Sequence, residues 1–105
     1  MALTKYKNVT DYNTAVELLN GKDQKKIAHN TTLVNLMDVY GFIGVRYWNT
    51  YIVKYYPDRT ELDTAGYDTY TTKERINIFS NAMVYQKDFI WYMADGTLFY
   101  DGIVI

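Results

Sequence analysis

The chain's strongest strand signal is VRYWNTYIVKYY, which runs from Val45 to Tyr56. Most of its residues are β-branched or aromatic, and both types favour half-buried strands. Alternation along one continuous strand predicts a core face of Val45, Tyr47, Asn49, Tyr51, Val53 and Tyr55. The opposite face then holds Arg46, Trp48, Thr50, Ile52, Lys54 and Tyr56. A turn is expected over Pro57, Asp58 and Arg59, followed by a partner strand over residues 60–63.

Helices are expected on either side of this region. Residues 10–21 start at the capping residues Thr10 or Asp11 and end at Gly21, which favours a short amphipathic helix. Residues 22–26 resemble a polar connection, and strands are expected from residue 27 to residue 38. A second helix is expected from residue 69, with a capping box between Thr71 and Glu74, and closing strands follow it. This order predicts one α+β domain over residues 1–105, with a mainly antiparallel sheet of about five to six strands and two short helices.

The composition argues against several classes of function. The 105 residues include no cysteine, which excludes disulfides, thiolate metal sites and cysteine nucleophiles. His29 is the only imidazole, a weak basis for a catalytic base or a zinc site. The formal charge of −1 gives no general attraction to nucleic acid or anionic lipid. We therefore expect no enzyme, no metal and no cofactor.

Membrane insertion is not expected either. The longest apolar runs, such as Phe89 to Ala94, span only a few residues, whereas a membrane helix needs about 20. The opening segment from Met1 to Lys7 lacks the apolar region of a secretory signal. These features favour a cytoplasmic protein.

The first candidate binding site is the predicted outward face of the central strand. Its cations and aromatic rings alternate: Arg46, Trp48, Lys54 and Tyr56. Tryptophan, tyrosine and arginine are favoured anchors at protein interfaces, which suggests a partner protein. The same pattern suits single-stranded nucleic acid, and it also occurs in ordinary strand packing. The chain has 12 tyrosines, and exposed tyrosine-rich strands make a homodimer reasonable.

The second candidate site is the start of the second predicted helix. Hydroxyls, a side-chain amide and two cations occur together there: Thr69, Thr71, Thr72, Lys73, Arg75 and Asn77. The free N–H groups of a helix N-terminus attract anions, so this segment could hold a phosphate, a nucleotide or a partner carboxylate. A threonine-rich cap with two solvated basic residues has the same sequence, and both interpretations stay open.

Three blocks of the chain resemble a group of small bacteriophage proteins. The blocks cover residues 27–33, residues 45–53 and residues 62–77. The third block is the most specific, because it is similar to the phage pattern Gly-Trp-x-Thr-x-Thr-Thr-Lys-x-Arg-Ile-Asn. This chain has Tyr67 where that pattern has tryptophan, and His29 where the first block has asparagine.

The resemblance to phage proteins implies a mode of action for a small chain without catalytic residues. Such proteins often occupy a host target, so the resemblance implies an anti-CRISPR-like inhibitor that blocks a host defence protein, such as a CRISPR effector, in the host cytoplasm. One alternative is a sponge that sequesters a nucleotide immune signal. Another is a phage structural or housekeeping protein.

Overall fold

A computed structural model describes residues 2–105, which form three helices and eight strands. The helices are α1 (Tyr12–Leu19), α2 (Met37–Tyr40) and α3 (Tyr70–Ser80). The strands are β1 (Gln24–Ala28), β2 (Thr31–Leu36), β3 (Phe42–Tyr47), β4 (Thr50–Tyr56), β5 (Arg59–Leu62), β6 (Tyr85–Lys87), β7 (Ile90–Tyr92) and β8 (Ile103–Val104). Met1, the first residue of the segment compared with a secretory signal, lies outside the described residues.

The predicted α+β class with a mainly antiparallel sheet is confirmed. Six strands form one antiparallel sheet in the order β1-β2-β3-β4-β5-β8. Strands β6 and β7 pair with each other as a separate hairpin, and Tyr92 of β7 also forms an isolated antiparallel bridge with Leu98. The α2 turn was not predicted, and it replaces the end of a strand expected to reach residue 38. Strand β1 begins at Gln24, inside the stretch expected to be a polar connection.

The stretch from Val45 to Tyr56 is two strands, so the prediction of one continuous strand is wrong. Strands β3 and β4 are joined by a two-residue turn at Trp48 and Asn49. Trp48 has a φ of +53°, and its backbone N–H donates to the Asn30 carbonyl at 2.9 Å. Reversal of the chain here places Trp48 at the end of the β3–β4 hairpin.

A β-bulge in β4 also changes which side chains face the core. Val45 pairs with Val53 and Arg46 pairs with Tyr51, which leaves Ile52 as the extra residue. Ile52 and Val53 are both buried in the main core, as expected where a bulge interrupts the alternation. Tyr51 consequently shares a face with Arg46. The expected positions of Tyr51 in the core and Ile52 outside it were therefore wrong.

Helices α1 and α3 cover one face of the six-stranded sheet, which we call the inner face. Ala15 and Leu19 of α1 and Ile76 and Phe79 of α3 join the main core there. Their sheet partners come from consecutive strands: Leu33, Val45, Val53, Tyr55, Leu62 and Ile103. Burying each large apolar side chain contributes about 1.5–3 kcal/mol, so this layer holds the helices to the sheet. The opposite face of the sheet is called the outer face.

The cap of α3 differs from the prediction by two residues. Thr69 is the N-cap, and its hydroxyl accepts a hydrogen bond from the Thr72 N–H at 3.3 Å. Thr71, expected to form a capping box with Glu74, lies inside the first turn instead. Thr69, Thr71 and Thr72 are all suitable N-cap residues, and the spacing between Thr71 and Glu74 wrongly indicated Thr71.

Candidate functional site

The outer face carries a cluster of four aromatic rings and one lysine. We call Tyr40, Phe42, Tyr51, Lys54 and Tyr56 the outer cluster. The Phe42 ring is central: its centroid lies 6.0 Å from that of Tyr40, 5.8 Å from that of Tyr51 and 5.5 Å from that of Tyr56. The Lys54 ammonium lies 5.6 Å from the same centroid, within the range of a cation–π interaction.

Strand register explains why these side chains meet. Phe42 and Gly44 alternate on the outer side of β3, and Gly44 pairs with Lys54 in β4. A Cβ atom added to Gly44 would lie 2.5 Å from Cδ1 of Tyr51 and 2.9 Å from Cε1 of Phe42. The absent side chain of Gly44 therefore leaves the space that these two rings occupy, a common reason for glycine inside a strand.

Phe42 is only 7% exposed although no core residue of the inner face surrounds it. Its burial therefore comes from its neighbours in the outer cluster. Tyr40 at one border of the cluster is 66% exposed. An open groove of about 450 Å³ runs along this surface, with Leu36 and Asp63 also in its lining. A partner that filled the groove would contact rings whose positions are already fixed.

Several cations border the outer cluster, together with Glu61, which pairs with Lys54, and Asp63, which lines the groove. Arg46 pairs with Thr32 in β2, and Lys26 in β1 pairs with the same residue, so both belong to the outer face. The Arg59 guanidinium carbon lies 3.9 Å from the Tyr56 ring centroid. Its ion pairs with Asp58 and Glu61 are on the surface, where such pairs contribute little to stability.

The four predicted partner-binding residues do not share one surface. Arg46, Lys54 and Tyr56 do lie on the outer face, whereas Trp48 lies in the hairpin turn. Trp48 is 63% exposed and lines a different groove of about 360 Å³, together with Tyr67, Thr69 and Thr72. Sequence reasoning missed Tyr40, Phe42 and Tyr51. Gly44 inside a strand was the one signal that could have pointed to a close approach of their rings.

The predicted anion-binding residues are also distributed among different contacts. The Thr69 hydroxyl is hydrogen-bonded to the hydroxyls of Thr71 at 3.2 Å and Thr72 at 3.0 Å. The Tyr47 hydroxyl donates to the Thr71 hydroxyl at 3.0 Å. The Lys73 ammonium lies over the rings of Tyr70 and Trp91, at 5.7 and 6.0 Å.

Arg75 and Asn77 both serve the fold. The Arg75 guanidinium donates to the Thr31 hydroxyl at 2.8 Å, to the Thr71 carbonyl at 3.1 Å and to the His29 carbonyl at 3.2 Å. The Asn77 side-chain amide donates to the Val84 carbonyl at 2.9 Å, and its oxygen accepts from the Val84 N–H at 2.7 Å. The polar side-chain groups of Arg75 and Asn77 are therefore already hydrogen-bonded within the protein.

Within residues 2–105, no three histidine, aspartate or glutamate side chains come together in a way that could hold a metal ion. None of the helices described is both long enough and apolar enough to cross a membrane.

These features define a small α+β protein with α1 and α3 on one face of its sheet and an aromatic surface bordered by several cations on the other. The chain matches the family model of the Kyanoviridae Gp96 protein over residues 1–104, and it belongs to this bacteriophage family. The phage origin implied by the sequence is thereby confirmed. Comparisons with curated proteins and with solved structures found no match.

Proposed function

We propose that this protein is a non-catalytic phage inhibitor that blocks a host defence protein in the host cytoplasm. The observation that carries the proposal is the outer cluster, an aromatic surface on the sheet face that no core helix covers. A CRISPR effector complex is the target class we favour, because small phage proteins that work by occupancy often act on such complexes.

The surface has the chemistry of a protein interface. Aromatic side chains and arginine supply much of the binding energy at interfaces, and they act best when they are held in place before binding. The rings of the outer cluster already pack on one another and on Gly44. The cations Lys26, Arg46 and Lys54 favour an acidic patch on the partner, since complementary charge speeds association and excludes wrong partners.

Nucleic acid is a weaker match for the same surface. Base stacking requires an accessible ring face, and Phe42 at the centre is 7% exposed. A nucleotide sponge is also weaker, because Arg75 and Asn77 are already bound to His29, Thr31, Thr71 and Val84. Both remain possible outcomes of the experiment below.

The test uses a host that carries an active CRISPR system and expresses this protein. Protection of a targeted phage is measured as plating efficiency for the wild type and for the variants Tyr51→Ala and Lys54→Glu. A residue that dominates an interface costs about 2 kcal/mol or more when truncated, which lowers affinity about thirtyfold. We expect each variant to lose most of the protection.

Tyr70→Ala and Lys22→Glu are the matched controls, because both residues are exposed and lie outside the outer cluster. Each variant is first checked for an unchanged thermal unfolding midpoint. Full protection by folded Tyr51→Ala and Lys54→Glu would overturn the assigned surface. If the wild type protects against no defence system, the inhibitor hypothesis fails. Mass spectrometry of the purified protein and of purified phage particles then identifies a released nucleotide or a virion component.

A further inference from the structure

A separate groove beside the β6–β7 hairpin has the composition of a site for a positively charged side chain. Its volume is about 380 Å³, and we call it the hairpin groove. Its walls contain four aromatic residues and two carboxylates: Phe89, Trp91, Phe99, Tyr100, Asp68 and Asp101. We propose that the hairpin groove binds an arginine side chain of a basic partner peptide. The proposal goes beyond the outer cluster and does not depend on it.

The aromatic walls are held in place by the backbone. The Trp91 and Phe99 rings lie 5.3 Å apart at an angle of 61°, and the Phe99 N–H donates to the Trp91 carbonyl at 3.1 Å. Ring faces attract cations, and a guanidinium also stacks on them because it is planar. Trp91 is 6% exposed and forms the base of the groove, so the rings open to a ligand are those of Phe89 and Tyr100, which are 91% and 62% exposed. Lys73, which does not line the groove, already places its ammonium 6.0 Å from the Trp91 centroid.

The carboxylates give the groove its charge preference. Oδ1 of Asp101 accepts hydrogen bonds from the Thr64 N–H at 2.8 Å and from the Thr64 hydroxyl at 2.9 Å, which fixes this carboxylate. Within residues 2–105, no lysine or arginine forms an ion pair with Asp68 or Asp101. No basic residue lines the groove. Two carboxylates beside aromatic rings favour a cation over an anion or a neutral apolar group.

Packing within the protein does not explain the position of the Phe89 side chain. Asp88 and Phe89 form the two-residue turn of the β6–β7 hairpin, with φ values of +52° and +66°. A turn with both φ values positive favours Asn-Gly or Asp-Gly, since a side chain on the second residue is strained there. The Phe89 ring is nevertheless 91% exposed, so burial in this chain does not compensate for the strain. A ring that closes one side of a binding groove accounts for its presence.

The experiment is an NMR titration of the full chain with the capped tripeptide acetyl-Gly-Arg-Gly-amide. The reporters are the Trp91 indole N–H and the backbone amides of Gly66, Asp68 and Asp101. We expect saturable shifts at these positions. The matched lysine peptide should bind more weakly because it lacks the planar guanidinium. The citrulline peptide, which has nearly the same shape but no charge, should bind about tenfold more weakly or not at all.

Three variants test the parts of the site. Asp68→Asn removes one charge, and Asp101→Asn removes the other while it keeps the oxygen that accepts from Thr64. Phe89→Gly removes one aromatic wall at a position where glycine suits the backbone, so it should fold. Each should weaken arginine-peptide binding about tenfold relative to the control Asp58→Asn, which lies in the β4–β5 turn.

Equal binding of the arginine and citrulline peptides would overturn the proposal, as would shifts located away from the hairpin groove or an absence of shifts. The outer-cluster variant Lys54→Glu should bind the arginine peptide as the wild type does. Failure of this titration therefore leaves the inhibitor assay unaffected, and failure of the inhibitor assay leaves this titration unaffected.

Discussion

Replacing Arg75 with methionine should destabilise the protein more than most single substitutions do. Arg75 is 7% exposed, and its guanidinium joins α3 to the β1–β2 turn through Thr31 and His29. Its carbon also lies 4.3 Å from the Tyr47 ring centroid. Methionine keeps the apolar stem of the side chain and removes these contacts, the bond to Thr71 and the ion pair with Glu74 at 3.9 Å.

The size of the effect follows from these contacts. Three hydrogen bonds contribute about 1 kcal/mol each after the loss of hydration is counted. The cation–π contact with Tyr47 adds about 0.5–1 kcal/mol. The expected loss is about 3–4 kcal/mol, a large part of the 5–15 kcal/mol typical of native proteins. Arg75→Lys keeps the charge but not the planar set of donors, so it should lose about half as much.

The free energy of unfolding is measured by urea denaturation at neutral pH. Lys73→Met is the control, because Lys73 lies on the same helix and makes only ring contacts at 5.7 and 6.0 Å. It should change stability by less than about 1 kcal/mol. A double-mutant cycle with Thr31→Val isolates the Arg75–Thr31 hydrogen bond. A loss below about 1 kcal/mol for Arg75→Met would refute the assignment of Arg75 as the link between helix and sheet.

Three further substitutions test the inner face, the first helix and the outer face. Tyr55→Phe should cost about 1 kcal/mol at neutral pH, because the buried hydroxyl donates to the backbone. Burial raises the Tyr55 pKa well above its usual 10.0, so the stability of the wild type should fall as pH rises above 10. The Tyr55→Phe variant has no hydroxyl to ionise and should not show this loss. Parallel pH profiles of stability for the two proteins would contradict the prediction. Asp11→Ala removes the α1 cap and should cost about 1 kcal/mol. Hydrogen bonds from Thr14 lower the Asp11 pKa below its usual 3.8, so the stability difference between the wild type and Asp11→Ala should shrink as pH falls below this value. A constant difference at acid pH would contradict a role for the charged carboxylate in the cap. Gly44→Ala should displace Tyr51 and cost about 1–3 kcal/mol in urea denaturation, and an unchanged stability would contradict the close contact.

The sequence predicted the class of fold because its signals are local. Aromatic and β-branched residues marked the central strands, and Asp11 marked the start of α1. The β3–β4 turn was missed because Trp48 and Asn49 lack the glycine or proline that normally marks such a turn. The bulge at Ile52 was missed because it is a property of the pairing with β3 and leaves no mark on β4 alone.

The outer cluster could be predicted only in part, for the same physical reason. Lys54 and Tyr56 were identified from alternation within one strand. Tyr40 and Phe42 come from α2 and β3, and they reach these residues only through strand pairing. The bulge places the Tyr51 side chain on the outer face, where alternation along β4 without a bulge would not put it. Contacts between strands depend on register, which the hydrophobic pattern fixes weakly where both faces of a strand carry apolar residues.

The contacts of Arg75 join the three blocks singled out in the sequence, residues 27–33, 45–53 and 62–77. Its partners come from each of them: His29 and Thr31 from the first block, Tyr47 from the second and Thr71 from the third. The three blocks therefore meet at one connection between helix and sheet. Most of the outer cluster lies outside these blocks, at Tyr40, Phe42, Lys54 and Tyr56. Because this connection is made without those side chains, substitutions in the outer cluster should leave the link between helix and sheet intact.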